Sequence, residues 1–311
     1  MKIVVLDGYA ANPGDISWDE MKTIGELTVY DRTCPEEIVD RCREAEAVLT
    51  NKCPLKRETL QNLPSLKYIG VLATGYNIVD TAAARELGIA VTNVPAYSTE
   101  CVAQLVMAFI LEAASHVGEH SRAALSGQWQ NCRDFVFWNY PLVELYGKKL
   151  GVIGHGAIGK RVAQIARAFG MQVTTYSPSQ NDARTLEDII SGSDIISLNC
   201  PLKKENEKMI NADTIARMKT GVWIINTARG GLVDEAAAAN ALKQGKIGYF
   251  CADVVSKEPI EGTNPLLDAP NVMLTPHIGW APFEARVRLM NISCENLRAF
   301  CMGEKKNRVE I

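Results

Sequence analysis

Hydrophobic positions along the chain fall into short runs, separated by stretches with helical spacing. Runs at 3–7 (IVVLD), 27–31 (LTVYD), 47–50 (AVLT), 68–73 (YIGVLA) and 91–94 (VTNV) read as strands. Helical patterns lie between several of them, at 35–45 and 80–88 for example. Such alternation predicts a parallel sheet covered on both faces. A long apolar helix is expected from about Ser98 to Leu125, with Ser98 and Thr99 as N-cap hydroxyls and Gly127 just past the end. The alternation resumes after Lys149, with strands at 150–154, 173–177, 195–199, 222–226, 249–254 and 272–276. Six strands match a complete dinucleotide-binding sheet. A last helix is expected from Pro282, a good first-turn residue, to about Met302. The fold class that follows is α/β, with two doubly wound parallel-sheet domains.

Composition narrows the possible partners. The 311 residues suit about two domains. A net charge of −3 leaves no basic surplus to neutralise phosphates, which argues against nucleic acid as the main partner. The N-terminal apolar run Ile3–Leu6 is too short for a signal-peptide core or a membrane span. Nine cysteines, scattered and without a CxxC pair, fit reduced thiols in the cytoplasm better than a disulfide framework.

The stretch GVIGHGAIGK (151–160) supplies the first candidate chemistry. An apolar strand runs into Gly154, His155, Gly156, Ala157, Ile158 and Gly159. A helix with Val162, Ile165, Ala166 and Phe169 on one face follows. In the dinucleotide fingerprint, Gly154 permits the tight turn, Gly156 lets backbone approach a pyrophosphate, and Gly159 lets helix and strand pack closely. Uncompensated N–H groups at the helix start favour an anion. The acid that usually closes the second strand and binds an NAD ribose is replaced by Ser177, and no Arg or Lys precedes Arg184 to attract a 2′-phosphate. The cofactor is therefore NAD or NADP, with NAD favoured.

Three charged residues follow three strands of this sheet: Arg229 in NTARGGLVDE, Glu258 in ADVVSKEP and His277 in LTPHIGW. Ligands of open α/β sheets sit beyond the carboxyl ends of the strands. A guanidinium can clamp a carboxylate through two parallel hydrogen bonds. An imidazole can pass a proton, and a carboxylate beside it orients the ring and favours its charged form. Together with a nicotinamide, these groups describe the reduction of a 2-oxo acid.

Over essentially its whole length the chain resembles the D-isomer-specific 2-hydroxyacid dehydrogenase family, through GHGAIG, NCPLKKEN, NTARGGLVDE, ADVVSKEP and PHIGW. Within it, VLATGYNIVD, FVFWNYPLVEL and HIGWAPFEARVRLM look most like glycerate dehydrogenases, also called hydroxypyruvate reductases. The resemblance implies Arg229 as carboxylate binder, His277 as acid/base and Glu258 as its partner. It implies contacts of Thr74 and Gly75 with the substrate carboxylate, of Asp253 with the nicotinamide carboxamide, and of Thr227 and Ala228 with the cofactor. Cys200, Pro201 and Asn206 would line the adenosine side. It further implies a flavodoxin-like substrate domain (1–97 with 283–311), a Rossmann domain (98–282) and an active site in the cleft between them. A homodimer through 98–145, using Trp129, Phe135, Phe137, Trp138 and Tyr140, is also implied.

Two rival readings stand beside this one. HVGEH (116–120) fits a zinc-protease pattern if His116 and His120 share a helix face, although no third ligand is identifiable and Gly118 weakens the helix. Some members of the same fold family are NAD-sensing corepressors, but the chain has no basic patch and no evident peptide-binding extension. No metal is expected, and the partner would be a small 2-oxo or 2-hydroxy acid: hydroxypyruvate first, then glyoxylate or a D-lactate-like substrate.

Overall fold

A computed structural model describes residues 1–178 and 185–310. The chain divides into two compact units, Met1–Ser98 with Ala281–Ile311, and Thr99–Trp280.

The first unit holds β1 (Lys2–Val5), β2 (Glu26–Val29), β3 (Ala47–Thr50), β4 (Tyr68–Val71) and β5 (Ala90–Thr92). All pairings are parallel, in the order β2-β1-β3-β4-β5. This is the flavodoxin-like order expected. The order reverses between β1 and β3, and there Asp7 accepts backbone N–H bonds from Asn51 (2.8 Å) and Cys53 (3.1 Å). The Phe283–Cys301 helix belongs to the same unit, and its Arg286 makes a two-pronged pair with Asp15 (2.7 and 2.6 Å). Pro282 is the N-cap of that helix and not its first turn.

The second unit holds β6 (Lys149–Ile153), β7 (Gln172–Tyr176), β8 (Ile195–Leu198), β9 (Val222–Asn226), β10 (Ile247–Ala252) and β11 (Val272–Leu274). The order β11-β10-β9-β8-β6-β7 is parallel throughout. Alternation along the strands explains why both faces are covered. Ile196, Leu198, Val222, Ile224 and Phe250 enter one apolar cluster, whereas Ile195, Trp223, Ile225 and Cys251 enter the other. That second cluster includes Ala103, Val106, Met107 and Ile110 of the Thr99–Ser115 helix.

The single helix expected over 98–125 is two, Thr99–Ser115 and Val117–Leu125, bent by 55°. His116 takes a left-handed conformation (φ 49°), and the Glu112 carboxylate accepts the Gly118 N–H (3.2 Å), starting a new helix instead of continuing the old one. Gly127 (φ 93°) closes the second piece, as expected. Among the described residues no single helix is long and apolar enough to cross a membrane.

None of the nine cysteines forms a disulfide, and five of them (Cys42, Cys53, Cys101, Cys251 and Cys294) are buried. Burial pushes the Cys42 thiol up to about 12 and the Cys53 and Cys294 thiols up to about 11, which suppresses the reactive thiolate. In the native protein a thiol reagent is expected to label exposed Cys34 and Cys301 rapidly, and the five buried thiols only after denaturation. Mass spectrometry of the labelled protein checks this; rapid native labelling of Cys42 or Cys251 would contradict it.

Candidate active site

The register of the six-stranded sheet lines up Tyr176, Ile153, Leu198, Asn226, Ala252 and Leu274 across its carboxyl edge. The next residues in each strand are Ser177, Gly154, Asn199, Thr227, Asp253 and Thr275. Backbone bonds extend the ladder one step into this row, from Gly154 to Tyr176, Asn199 to Ile153, Asp253 to Asn226 and Thr275 to Ala252 (2.7–3.0 Å). The candidate residues of this unit thus lie on, or in the loops that follow, one edge of one sheet.

The glycine turn is built as the fingerprint requires. Gly154 has φ 98°, and a Cβ there would lie 2.6 Å from the Asn199 and Cys200 backbone. A Cβ on Gly159 would lie 1.9 Å from the Gly154 carbonyl oxygen, so the Ala157–Ala168 helix can lie against β6 only with glycine at this position. A Cβ on Gly156 would meet nothing within 4 Å, which leaves open space over the first turn. Gly156 is the N-cap and lends no side chain, so the Ala157 and Ile158 N–H groups have no intrahelical acceptor. Buried Asn199 Oδ1 and Thr227 Oγ1, both in the carboxyl-edge row, have no protein partner among the described residues. Open space, donor N–H groups and two unsatisfied polar atoms fit a dinucleotide along this edge. Gly159→Ala is expected to cost about 1–3 kcal/mol through overpacking. Calorimetry should show a lower melting temperature together with weaker nucleotide binding, and an unchanged protein on both counts would contradict the close-packing role.

Ser177 follows β7 directly and is half-buried. Arg184 lies outside the described residues. Asn206 folds the 200–206 loop on itself: its Oδ1 accepts the Lys203 N–H (2.7 Å) and its amide donates to the Pro201 carbonyl (2.9 Å). Cys200, in the same loop, is half-buried, and burial raises its thiol pKa.

Arg229 is exposed on a turn shaped by Asn226, which sequence reasoning did not single out. Asn226 is fully buried; its Oδ1 accepts the Ala228 N–H (3.1 Å) and its amide donates to the Arg229 carbonyl (2.9 Å). An Asn directly after an apolar run was the available signal, because its side chain can hydrogen-bond backbone two residues on. The guanidinium donates to the Ala228 carbonyl at 2.7 Å. Gly230 follows, where a Cβ would lie 1.9 Å from the Val255 carbonyl carbon. That contact presses the Arg229 turn against the loop bearing Glu258.

His277 sits on a tight turn after β11, with φ 55° and its N–H donating to the Thr275 carbonyl (2.9 Å). A left-handed, non-glycine residue is uncommon and must be held by its surroundings. Asp253 holds it: Oδ1 accepts from Ile278 N (2.8 Å) and Thr275 Oγ1 (2.5 Å), and Oδ2 accepts from Gly279 N (2.8 Å). Asp253 is 3% exposed, so these bonds form away from water. Nδ1 of His277 lies 2.7 Å from Glu258 Oε2. An ionised carboxylate only accepts, so Nδ1 carries hydrogen and Nε2 is the nitrogen placed for proton exchange.

Thr74 and Gly75 belong to the other unit, on the turn after β4. The Thr74 hydroxyl donates to the Val94 carbonyl (2.9 Å), and its own carbonyl accepts from Asn93 (2.8 Å), so the turn is pinned. The His116–His120 pair does not form the helical zinc face. His116 is the break residue, and its Nε2 lies 3.0 Å from the Tyr249 hydroxyl. His120 meets the His116 carbonyl at Nδ1 (2.9 Å) and the Asn139 N–H at Nε2 (3.1 Å). Both rings are therefore engaged, and no three His, Cys, Asp or Glu side chains gather as a metal site among the described residues.

A parallel six-stranded sheet with a glycine cradle, and an arginine and a carboxylate-paired histidine beyond its carboxyl edge, define a nicotinamide-dependent oxidoreductase of hydroxy acids. The family model for the NAD-binding domain of D-isomer specific 2-hydroxyacid dehydrogenases matches residues 107–279, and the chain belongs to that family. It is 47% identical to a hydroxypyruvate reductase of Blautia hydrogenotrophica and 39% identical to a glycerate dehydrogenase of Methylorubrum extorquens, each match covering 99% of both chains. A D-lactate dehydrogenase from Aquifex aeolicus, solved with NAD and lactic acid, superposes with a TM-score of 0.86 at 28% identity, covering 100% of this chain and 99% of that one. The protein is an oxidoreductase of the D-2-hydroxyacid dehydrogenase type.

Proposed function

We propose that the protein reduces hydroxypyruvate to D-glycerate, that it prefers NADH to NADPH, and that it works as a cytoplasmic homodimer. The observation that carries the reaction is the Glu258–His277 pair, 2.7 Å apart, on the same sheet edge as Arg229 and the glycine cradle. When bound, reduced nicotinamide would supply a hydride for C2 of the substrate. Arg229 holds the substrate carboxylate and polarises the neighbouring carbonyl. Protonated His277 delivers a proton from Nε2 to the C2 oxygen while Glu258 keeps the ring oriented; in the oxidative direction neutral His277 takes that proton back. The turn Gly154–Gly159 would hold the pyrophosphate, Thr227, Ala228 and Asp253 the nicotinamide end, and Ser177 the adenosine ribose. Cys200, Pro201 and Asn206 would flank the adenosine.

The substrate choice is supported by the names and full-length coverage of the two relatives above. Glyoxylate is the next substrate in order. The dimer is supported by apolar surface: Trp129, Phe135, Trp138 and Tyr140 are 57, 89, 63 and 41% exposed, an unusual concentration for a solvated loop. Nine cysteines without a disulfide among them support a reducing compartment.

Initial rates for a matrix of 2-oxo acids against NADH and NADPH test this reading. The highest kcat/KM is expected for hydroxypyruvate with NADH, followed by glyoxylate. A higher value for pyruvate or a branched 2-oxo acid would overturn the substrate assignment, and an NADPH preference the cofactor assignment.

A further inference from the structure

The loop that presents Glu258 has no helix or strand of its own, yet Glu258 must stay within 2.7 Å of His277. Val255 N donates to Glu258 Oε1 over a long 3.4 Å. The loop is tied at both ends by one side chain. Glu235 lies in the first turn of the Glu235–Lys243 helix, directly after the N-cap Asp234. Its Oε1 accepts the Ser256 N–H (2.7 Å), and its Oε2 accepts the Ser256 hydroxyl (2.6 Å) and the Asn264 amide (2.9 Å). Ser256 opens the loop and Asn264 closes it. Asn264 also caps the short turn Pro265–Asp268 through the Leu266 N–H (3.0 Å), and Leu266 is buried in the core. Gly230 lies against the same Val255–Ser256 backbone.

We propose that Glu235 is a positioning residue of the reaction: by cinching Ser256 to Asn264 it fixes the loop that sets Glu258 against His277. The proposal rests on the assignment of Glu258 and His277 above. Its physical basis is closure. Nine residues held at both ends by three bonds to one carboxylate on a rigid helix sample far fewer conformations than the same loop held at one end. Bonds to an ionised acceptor are the stronger kind. A displacement of about 1 Å at a catalytic group costs about 100-fold in rate.

The test is a set of single and double variants measured with hydroxypyruvate and NADH. Glu235→Ala is expected to lower kcat by about 10- to 100-fold, with the KM for hydroxypyruvate changed little and the NADH dissociation constant, from fluorescence titration, unchanged. Glu235→Gln keeps an acceptor for the Ser256 N–H and a group its hydroxyl can bond, and it should recover most of that kcat. Because Glu235 acts through Glu258, Glu235→Ala adds little loss on top of Glu258→Gln. Full activity of Glu235→Ala beside an impaired Glu258→Gln would overturn the proposal and leave the catalytic pair standing. So would losses that multiply in the double variant. Full activity of Glu258→Gln would instead remove the catalytic pair itself. Should Glu235→Ala fail to fold, Asn264→Ala, which removes the closing bond from the loop side, and its double variant with Glu258→Gln carry the same comparison.

Discussion

Replacing His277 by Ala is expected to lower kcat by about 10²- to 10⁴-fold, the range for loss of a general acid. The expectation follows from the geometry of the ring. Nδ1 is committed to Glu258 at 2.7 Å, and the turn carrying the residue is fixed by three bonds to Asp253. The residues that directly follow it, Ile278, Gly279 and Trp280, carry no acid or base that could replace the imidazole. Nucleotide binding should survive, because the cradle at Gly154–Gly159 is built from a different part of the sheet. Stopped-flow turnover and fluorescence titration on the same sample separate the two effects. Near-normal turnover in His277→Ala would remove the residue from the mechanism.

Replacing Arg229 by Lys is expected to reduce kcat/KM by about 100-fold. A planar guanidinium meets a carboxylate through two parallel charged bonds, and an ammonium cannot reproduce that fork. Hydrogen bonds to charged groups contribute about 1.5–3 kcal/mol each, so loss of one accounts for roughly 10- to 100-fold and loss of carbonyl polarisation for more. The Asn226 turn fixes the backbone of residue 229 from both sides, so the shorter reach of Lys is not relieved by local adjustment. Steady-state kinetics over a substrate series checks this, and unchanged catalytic efficiency would contradict the clamp.

The glycine cradle was legible in the sequence because its information is local. A strand, three glycines and an amphipathic helix lie within about twenty residues, and each glycine answers a steric demand that the structure makes explicit at Gly154 and Gly159. The positions of Arg229, Glu258 and His277 after three strands were legible for the same reason. Their approach was not, because it depends on the pairing of β10 with β9 and β11 and on bonds that shape the intervening loops, from Asp253 to the His277 turn and from Asn226 to the Arg229 turn. Asp253 shows the limit well. Resemblance attaches it to the cofactor; the three hydrogen bonds by which it also supports the His277 turn could not be read from the sequence. The break at His116 was hidden because apolar periodicity runs through it, whereas the left-handed His116 backbone and the Glu112 carboxylate, folded back on Gly118, start a new helix there. Strand ends were read two residues long at β1, β2, β4, β5, β10 and β11, where the chain leaves the ladder into the loops that follow.

The most direct measurement of the central claim is the identity and handedness of the product formed from hydroxypyruvate and NADH. The account predicts that D-glycerate appears in step with the loss of reduced-nicotinamide absorbance, one molecule per molecule of NADH consumed. NADH bound but never consumed with any 2-oxo acid, or a product of L configuration, would contradict it.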